Sequence, residues 1–455
     1  MNTQPQGQAV APHGSEPEPA SGGTIGAAPW NLVTRVGFRF SLTYIVLLYA
    51  FPFPLDSLPF GNFLVTHWAN LWRVVVPWLG EHVLHLSYKI VAVNNGSGDT
   101  TFGYVKIFCF VVLAAIATIV WSIIDRRQNY ARGYQWLQLY VRILLGAALL
   151  GYGAVKVIPT QMSSPPLSRL LTSCGDSAPM SLLWTFMGAS RTYEIFTGVV
   201  EMLAGLLLFI PRLATLGALI STVAAANIFL LNISYDVPVK ILSFHLLVMS
   251  LWLLIPEARR LVSFLILDRD VKHQAVRPFF QRKWLNTSIL LAQVLFGLYL
   301  AVTSLNESYQ TAKRMGFLAP KAPLYGIWIV DEFTVDGGAA PRPEDSMRWQ
   351  RMIVDNNFVV AFQSVGGKWQ RFIHQTDVEK KTITLWRRQS WLDKAKGQEI
   401  QISFDRLPTD DITLDGKFDG KQIHAKLHHI PEPQFVLNTR GFHWINEYPF
   451  NGYDE

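Results

Sequence analysis

Apolar residues along this chain gather into runs of the length a membrane requires, and then the period changes. A helix that crosses the hydrocarbon layer needs about 20 mostly apolar residues. Seven such runs stand out, at 35–54, 103–124, 136–157, 192–210, 213–232, 237–255 and 286–305. Between the first two, 64–79 interleaves Trp68, Trp72 and Trp78 with Arg73, which predicts an amphipathic helix lying at the interface and not a span. From about Leu324 to Tyr448 the alternation shortens to two. The stretches 327–335, 358–363, 382–386, 399–404 and 422–427 read as short strands. Asp336-Gly337-Gly338, Gly366-Gly367, Asp415-Gly416 and Asp419-Gly420 read as the turns between them. Strands of this kind, about eight or nine in number, predict an up-and-down barrel. The predicted fold class is therefore a polytopic α-helical membrane bundle of about seven spans plus a C-terminal antiparallel β-barrel.

Composition agrees with lipid as the solvent: half the residues are hydrophobic and only 16% are charged, against roughly 25% in soluble domains. The formal charge of +7 could suggest nucleic acid, but the excess lies in the membrane half, so no nucleic-acid partner is expected. Lys and Arg concentrate in three loops: Arg126, Arg127 and Arg132; then Arg212; then Arg259, Arg260, Arg269, Lys272, Arg277, Arg282 and Lys283. With seven spans these loops share one side, which the positive-inside rule makes cytoplasmic. The barrel is then non-cytoplasmic, and a bacterial inner membrane is the expected location. Residues 1–29, rich in Gly, Pro, Ser and Ala, read as a disordered cytoplasmic tail and not a signal peptide. Cys109 and Cys174, one in an apolar run and one in a loop, offer no disulfide framework.

Ionisable side chains inside lipid are costly, and each needs a reason. The third span holds Arg142 and Lys156, with Gly146 and Gly153 between them. The fourth holds Glu194 and Glu201, with Gly198 between, and the fifth holds Asn227 and Asn232. The sixth opens with Asp236 and Lys240 and continues through Ser243 to His245. Successive spans run in opposite directions, so all of these but Arg142 fall at similar depth in the outer half of the bundle. The shared depth predicts a polar cavity in which Lys156, Glu201, Lys240 and His245 face one another. Glu194, Asn227 and Asp236 complete the ligand-binding set. Simpler readings stand beside it: Lys156 snorkelling to the interface, Asp236 and Lys240 forming a local i,i+4 pair, Glu201 and His245 pairing internally. For Arg39 and Arg142, interface anchoring is the expected role. His424 and His428 share a strand face with no carboxylate in sight, so no metal is expected there. Nor is there a phosphate-binding Gly loop, a His-Glu-x-x-His, a Gly-x-Ser-x-Gly or a haem-attachment motif.

Two resemblances follow from particular residues. Gly326-Ile327-Trp328 at the first strand, with Arg440 near the last, resembles the lipocalin-like pattern in which an Arg covers the first-strand Trp. Arg142-Ile-Leu-Leu-Gly146, Gly153-Ala-Val-Lys156 and Gly198-Val-Val-Glu201 with Gly205, within 136–260, resemble the DoxX family of four-helix membrane proteins. More distantly, a helical bundle followed by a β-rich domain is similar to the vitamin-K-dependent carboxylase-like membrane family. On the DoxX resemblance the chain divides into 30–132, with the N-terminal spans; 133–260, the four-helix core; 261–305, a loop and last span; and 306–455, the barrel domain. That resemblance implies a quinone-associated redox role, in one branch thiosulfate oxidation. A quinone or similar lipid-like molecule and a partner redox protein are the implied associates, besides membrane lipid. The competing expectations are a non-enzymatic binding or assembly protein that uses its barrel, and a transporter.

Overall fold

The computed structural model describes residues 29–50, 61–92, 96–271, 278–338, 342, 347–387, 399–407, 411–431 and 435–450. The tail expected at 1–29 lies outside them, save Pro29. Among the described residues, six helical segments are long and apolar enough to cross a membrane. They are α1 (Leu32–Ile45, continued by a π-helical turn, Val46–Ala50), α3 (Thr101–Ile124), α4 (Ala131–Val157), α8 (Ala214–Ser234), α9 (Lys240–Leu254) and α11 (Lys283–Met315). A 3-10 turn at Ile255–Glu257 leads from α9 into the short α10 (Ala258–Leu265). The run expected as a seventh span forms α7 (Arg191–Leu208), whose Arg191, Glu194 and Glu201 set it apart from these six in composition. The segment expected at the interface forms α2 (Gly61–His82). It buries Trp72 and Val76 against Phe110 of α3, and leaves Leu71, Val74 and Trp78 exposed.

Helices α4, α7, α8 and α9 pack as the expected four-helix core, with α11 against α4 and α7 and with α1 paired to α3. Arg39 and Arg142 depart from the interface role expected of them. Arg39 donates to Tyr130 Oη (2.6 Å), Ser122 Oγ (2.7 Å) and the Asp125 carbonyl (2.8 Å), tying α1 to the α3–α4 turn. Arg142 donates to the Leu208 carbonyl at the end of α7 (2.7 Å) and to Gln293 Oε1 on α11 (3.3 Å). A helix C-terminus leaves carbonyls without intrahelical partners, and an arginine turned inward satisfies one here.

The second unit is a closed barrel of eight antiparallel strands in which each strand pairs with its neighbours in sequence and the last with the first. The strands are β1 (Gly326–Val335), β2 (Trp349–Val354), β3 (Val359–Ser364), β4 (Trp369–Asp377), β5 (Thr382–Arg387), β6 (Glu399–Arg406), β7 (Ile412–Phe418) and β8 (Lys421–Ile430). Inward positions are filled. Trp349 stacks on Phe362 (4.1 Å between ring centres) and meets Phe418 edge-on (5.0 Å), with Phe372 completing the cluster. An eight-stranded barrel is just wide enough for side chains to fill it.

Two expectations for the barrel are corrected. Asp415-Gly416 is no turn but part of β7, and a Cβ on Gly416 would meet the Gln401 carbonyl of the adjacent strand at 2.8 Å. Asp336-Gly337 and Asp419-Gly420 do turn, with φ of +50° and +72° in the first and +50° and +81° in the second. Nor does Arg440 cover Trp328. The ring beside Trp328 is His429 of β8, 4.9 Å away, and Trp328 Nε1 donates to the Leu324 carbonyl at 2.9 Å. The short α12 (Val436–Thr439) carries Arg440 away from β8, where it bonds Asn446 (2.9 Å) and lies over Phe450.

Barrel and bundle meet at the α4–α7 connector. There α5 (Leu167–Leu170) docks Leu167 against Ile327 and Ile353 on the barrel wall. Ser168 donates to the Asp355 carboxylate from its backbone N–H (2.9 Å) and from its hydroxyl. Burial pushes the Asp355 pKa above the usual carboxylate range, and these hydrogen bonds pull part of the way back.

Candidate functional site

The pairing of α4 with α7 rests on four glycines. The helices run antiparallel, with Gly146 beside Gly205 and Gly153 beside Gly198. A Cβ on Gly153 would lie 2.7 Å from the Gly198 carbonyl, and one on Gly198 would lie 2.7 Å from the Gly153 carbonyl. Small residues at such crossings let backbones touch. That closeness brings Lys156 and Glu201 together: Nζ donates to Glu201 Oε2 at 2.8 Å, with the side chains only 7% and 4% exposed. Lys156 also donates to the Tyr152 carbonyl at 3.3 Å. It turns into the bundle and does not snorkel.

Beside this pair opens a cavity of about 110 Å³ between α4, α7, α8 and α9. Its lining includes Lys156, Glu201, Asn227 and Gln161 among the polar residues, and Leu149, Leu183, Trp184, Leu231 and Leu246 among the apolar ones. Asn232 reaches the same space and donates to Ser243 Oγ at 3.0 Å. Gln161 Oε1 is buried without a hydrogen-bond partner. Such an acceptor carries a desolvation cost of about 1–3 kcal/mol until something donates to it.

The remaining residues of the expected set lie elsewhere. Glu194 is buried nearby, and its Oε1 accepts the Met162 N–H (3.1 Å), fastening the connector to the start of α7. Asp236, at φ +50°, points outward and pairs with Lys240 at 2.8 Å. Asp99 caps α9 by accepting the N–H groups of Lys240 (2.7 Å) and Ile241 (2.9 Å). The simpler reading of Asp236 and Lys240 as a local pair is the observed one. His245 faces α1: Nδ1 must donate to the Ile241 carbonyl (2.6 Å), which leaves Nε2 to accept from the Tyr44 hydroxyl at 2.6 Å. The expected circle of four is thus two residues, Lys156 and Glu201, joined by Asn227.

Sequence reasoning missed Gln161, Tyr152 and the wall from α6 (Pro179–Ala189). That helix is too short to register as a span, though its apolar run Met180–Met187 was visible. Gly188 lets α6 seat against the connector, since a Cβ there would strike the Ser163 carbonyl at 2.3 Å. In the barrel, carboxylates do partner the histidines: His424 Nδ1 lies 2.7 Å from Asp415, and His428 Nδ1 lies 2.8 Å from Asp331. Both are exposed two-residue pairs. Among the described residues no group of three or more His, Cys, Asp or Glu could hold a metal ion.

No known family profile and no solved structure matches this chain. A curated relative does: "Uncharacterized protein YwoB" of Bacillus subtilis (strain 168) is 37% identical over 122 residues, which are 27% of this chain and 77% of the relative. With that identity over most of the relative's length, the chain belongs to the same family as the Bacillus subtilis protein.

Proposed function

We propose that this is a DoxX-like membrane subunit that binds the ring headgroup of a lipid-like molecule, a quinone for preference, beside Lys156 and Glu201. The observation that carries the reading is a buried ion pair lining a mostly apolar cavity, beside Asn227 and Gln161, the latter with a buried unpartnered acceptor. Ligand sites combine apolar walls with a few converging polar groups in this way. A cavity on the order of 150 Å³ takes benzene; at about 110 Å³ this one would have to widen around a ring headgroup by side-chain movement. Donors and acceptors fit both forms of such a ring. A lysine has three N–H donors; Lys156 uses two, on Glu201 and Tyr152, and the third, with the Asn227 amide, can serve a ring carbonyl. Gln161 Oε1 can accept from a ring hydroxyl. A bound quinone would supply two-electron carrier chemistry, and a partner redox protein would deliver or take the electrons. The chain's own residues hold the headgroup and exclude water.

The basic loops bear on orientation. The Trp30 N–H donates to the Gln128 carbonyl (2.9 Å), and Trp136 near the start of α4 meets Phe279 (4.8 Å). The Arg-rich segments therefore gather at the end of α4 away from Lys156 and the barrel. By the positive-inside rule that end is cytoplasmic, which sets the barrel and the cavity toward the non-cytoplasmic face of a bacterial inner membrane. The barrel interior, by contrast, is lined by buried apolar side chains such as Trp349, Phe362 and Phe418.

Mass spectrometry of lipids retained by the protein in mild detergent, together with calorimetric titration of a short-tailed quinone analogue, tests the reading. The double variant Lys156→Met/Glu201→Leu removes both charges at once. Replacing a buried ion pair as a unit is often close to neutral for stability. It is expected to melt near the parent and to lose analogue binding. Retained binding in a variant that melts normally would sink the proposal.

A further inference from the structure

We propose that the segment from Phe442 to Tyr448 is a membrane-interface anchor for the barrel, its partner being the headgroup layer of the bilayer that holds the bundle. Phe442, Trp444, Ile445 and Tyr448 are 75%, 91%, 77% and 84% exposed, and Trp444 is the most exposed large hydrophobic side chain among the described residues. Exposed apolar groups on the barrel strands are far better covered, Ile373 at 37% for example. Clustered exposed apolar groups mark interaction surfaces. Aromatic residues, Trp and Tyr above all, prefer the headgroup level, where an apolar ring and a polar edge are both satisfied.

Position argues for lipid over another protein. Ile430 at the end of β8 pairs with Ile327 at the start of β1, so the tail leaves the barrel at the end where the chain arrives from α11. Phe435 then joins the cluster of Leu167, Ile327 and Ile353 that clasps the barrel to the bundle's connector. The aromatic segment is thus continuous with the barrel–bundle junction. At the same end the exposed Met315, Phe317 and Leu318 mark where α11 leaves the apolar layer. The segment's charges are few, Glu447 being the one acid between Gly441 and Phe450, so little opposes insertion among headgroups.

The test uses the full chain in vesicles of phosphatidylethanolamine and phosphatidylglycerol. Cys109 and Cys174 are replaced by Ala and Ser, and a nitroxide spin label is attached at Phe442→Cys, Trp444→Cys or Tyr448→Cys. Ile119→Cys on α3 gives the bilayer reference. Lys368→Cys, in the β3–β4 turn at the opposite end of the barrel, gives the aqueous one. Collision with oxygen should exceed collision with a water-soluble nickel chelate at the tail positions, approaching the ratio at 119. A ratio like that at 368 overturns the anchor. Protection from both probes overturns it as well, since it would mean that the tail is covered by the barrel or by a second copy.

Discussion

Inside the barrel, Trp349, Phe362, Phe372 and Phe418 meet ring against ring, all four of them buried. Inside the bundle, Lys156 and Glu201 meet charge against charge beside an open volume. An interior packed ring on ring holds a shape. Each interior buries a polar atom without a partner, Trp349 Nε1 in the barrel and Gln161 Oε1 in the bundle. The difference lies in the open volume beside buried charges, and functional sites are where proteins accept such a loss of stability. On the proposed reading, binding falls to the bundle and position to the barrel, whereas the sequence kept a ligand-gripping barrel as a competing expectation.

The comparison breaks most completely at the glycines. Gly153→Leu drives a side chain into Met202 and the Gly198 carbonyl, and overpacking alone costs about 1–3 kcal/mol or more. Here backbone must separate, so the four-helix core should fail to assemble, seen as loss of a monodisperse peak in detergent. On the barrel side, Trp349→Ala should destabilise by about 3–5 kcal/mol in thermal melts, yet leave quinone-analogue affinity unchanged. If affinity falls with it, the two interiors are not separate in function. Next comes Glu201→Gln alone. It strands a buried ammonium, at a cost of about 3–5 kcal/mol, whereas the double variant with Lys156 should cost much less. Equal melting of single and double variants would mean that the pair is not buried as described.

The smallest expected effects concern pH at the junction. Burial raises the folded pKa of Asp355, so the protonated carboxyl is the form the fold prefers. Its contribution is fully present below the unfolded value of about 4 and is lost as pH rises through the folded pKa. His374 has the opposite sense: burial lowers its pKa, so its contribution is present above about 6.5 and is lost as pH falls through the folded pKa. Asp355→Asn should flatten the acid-side slope of barrel melting and leave the histidine-linked loss in place. An unchanged slope would show that Ser168 holds an ordinary carboxylate.

Much of the fold was legible in the sequence, and the rest was hidden for physical reasons that differ from residue to residue. Run length and composition locate spans, and topology orders positions along them, and Lys156, Glu201 and Asn227, expected around one cavity, do line one. Depth says nothing about which way a side chain faces around the helix axis. His245 lies near the expected level but turns to Tyr44, whose hydroxyl comes from the first helix and is invisible to any local pattern. Lys240 likewise finds Asp236 and Asp99. Gln161 sits in a connector that periodicity does not describe. In the barrel, Asp415-Gly416 carried turn chemistry that close strand packing overrode, and Trp328 found His429 because the chain turns away before Arg440.

The Met162–Glu194 and Ser168–Asp355 hydrogen bonds fasten one short stretch of the connector at both ends, first to the bundle and then to the barrel. The first of these residues, Met162, lines the cavity together with Gln161, and a stretch pinned at two points bends little. On the proposed reading, entry would then fall to the flanks, where Tyr193 and Thr197 of α7 and Ile228 of α8 line the same space. An occupant with a long tail would pass sideways between these helices, keeping the tail in the acyl layer while the head moves. Lipid solubility, more than shape alone, would then decide which molecules are admitted.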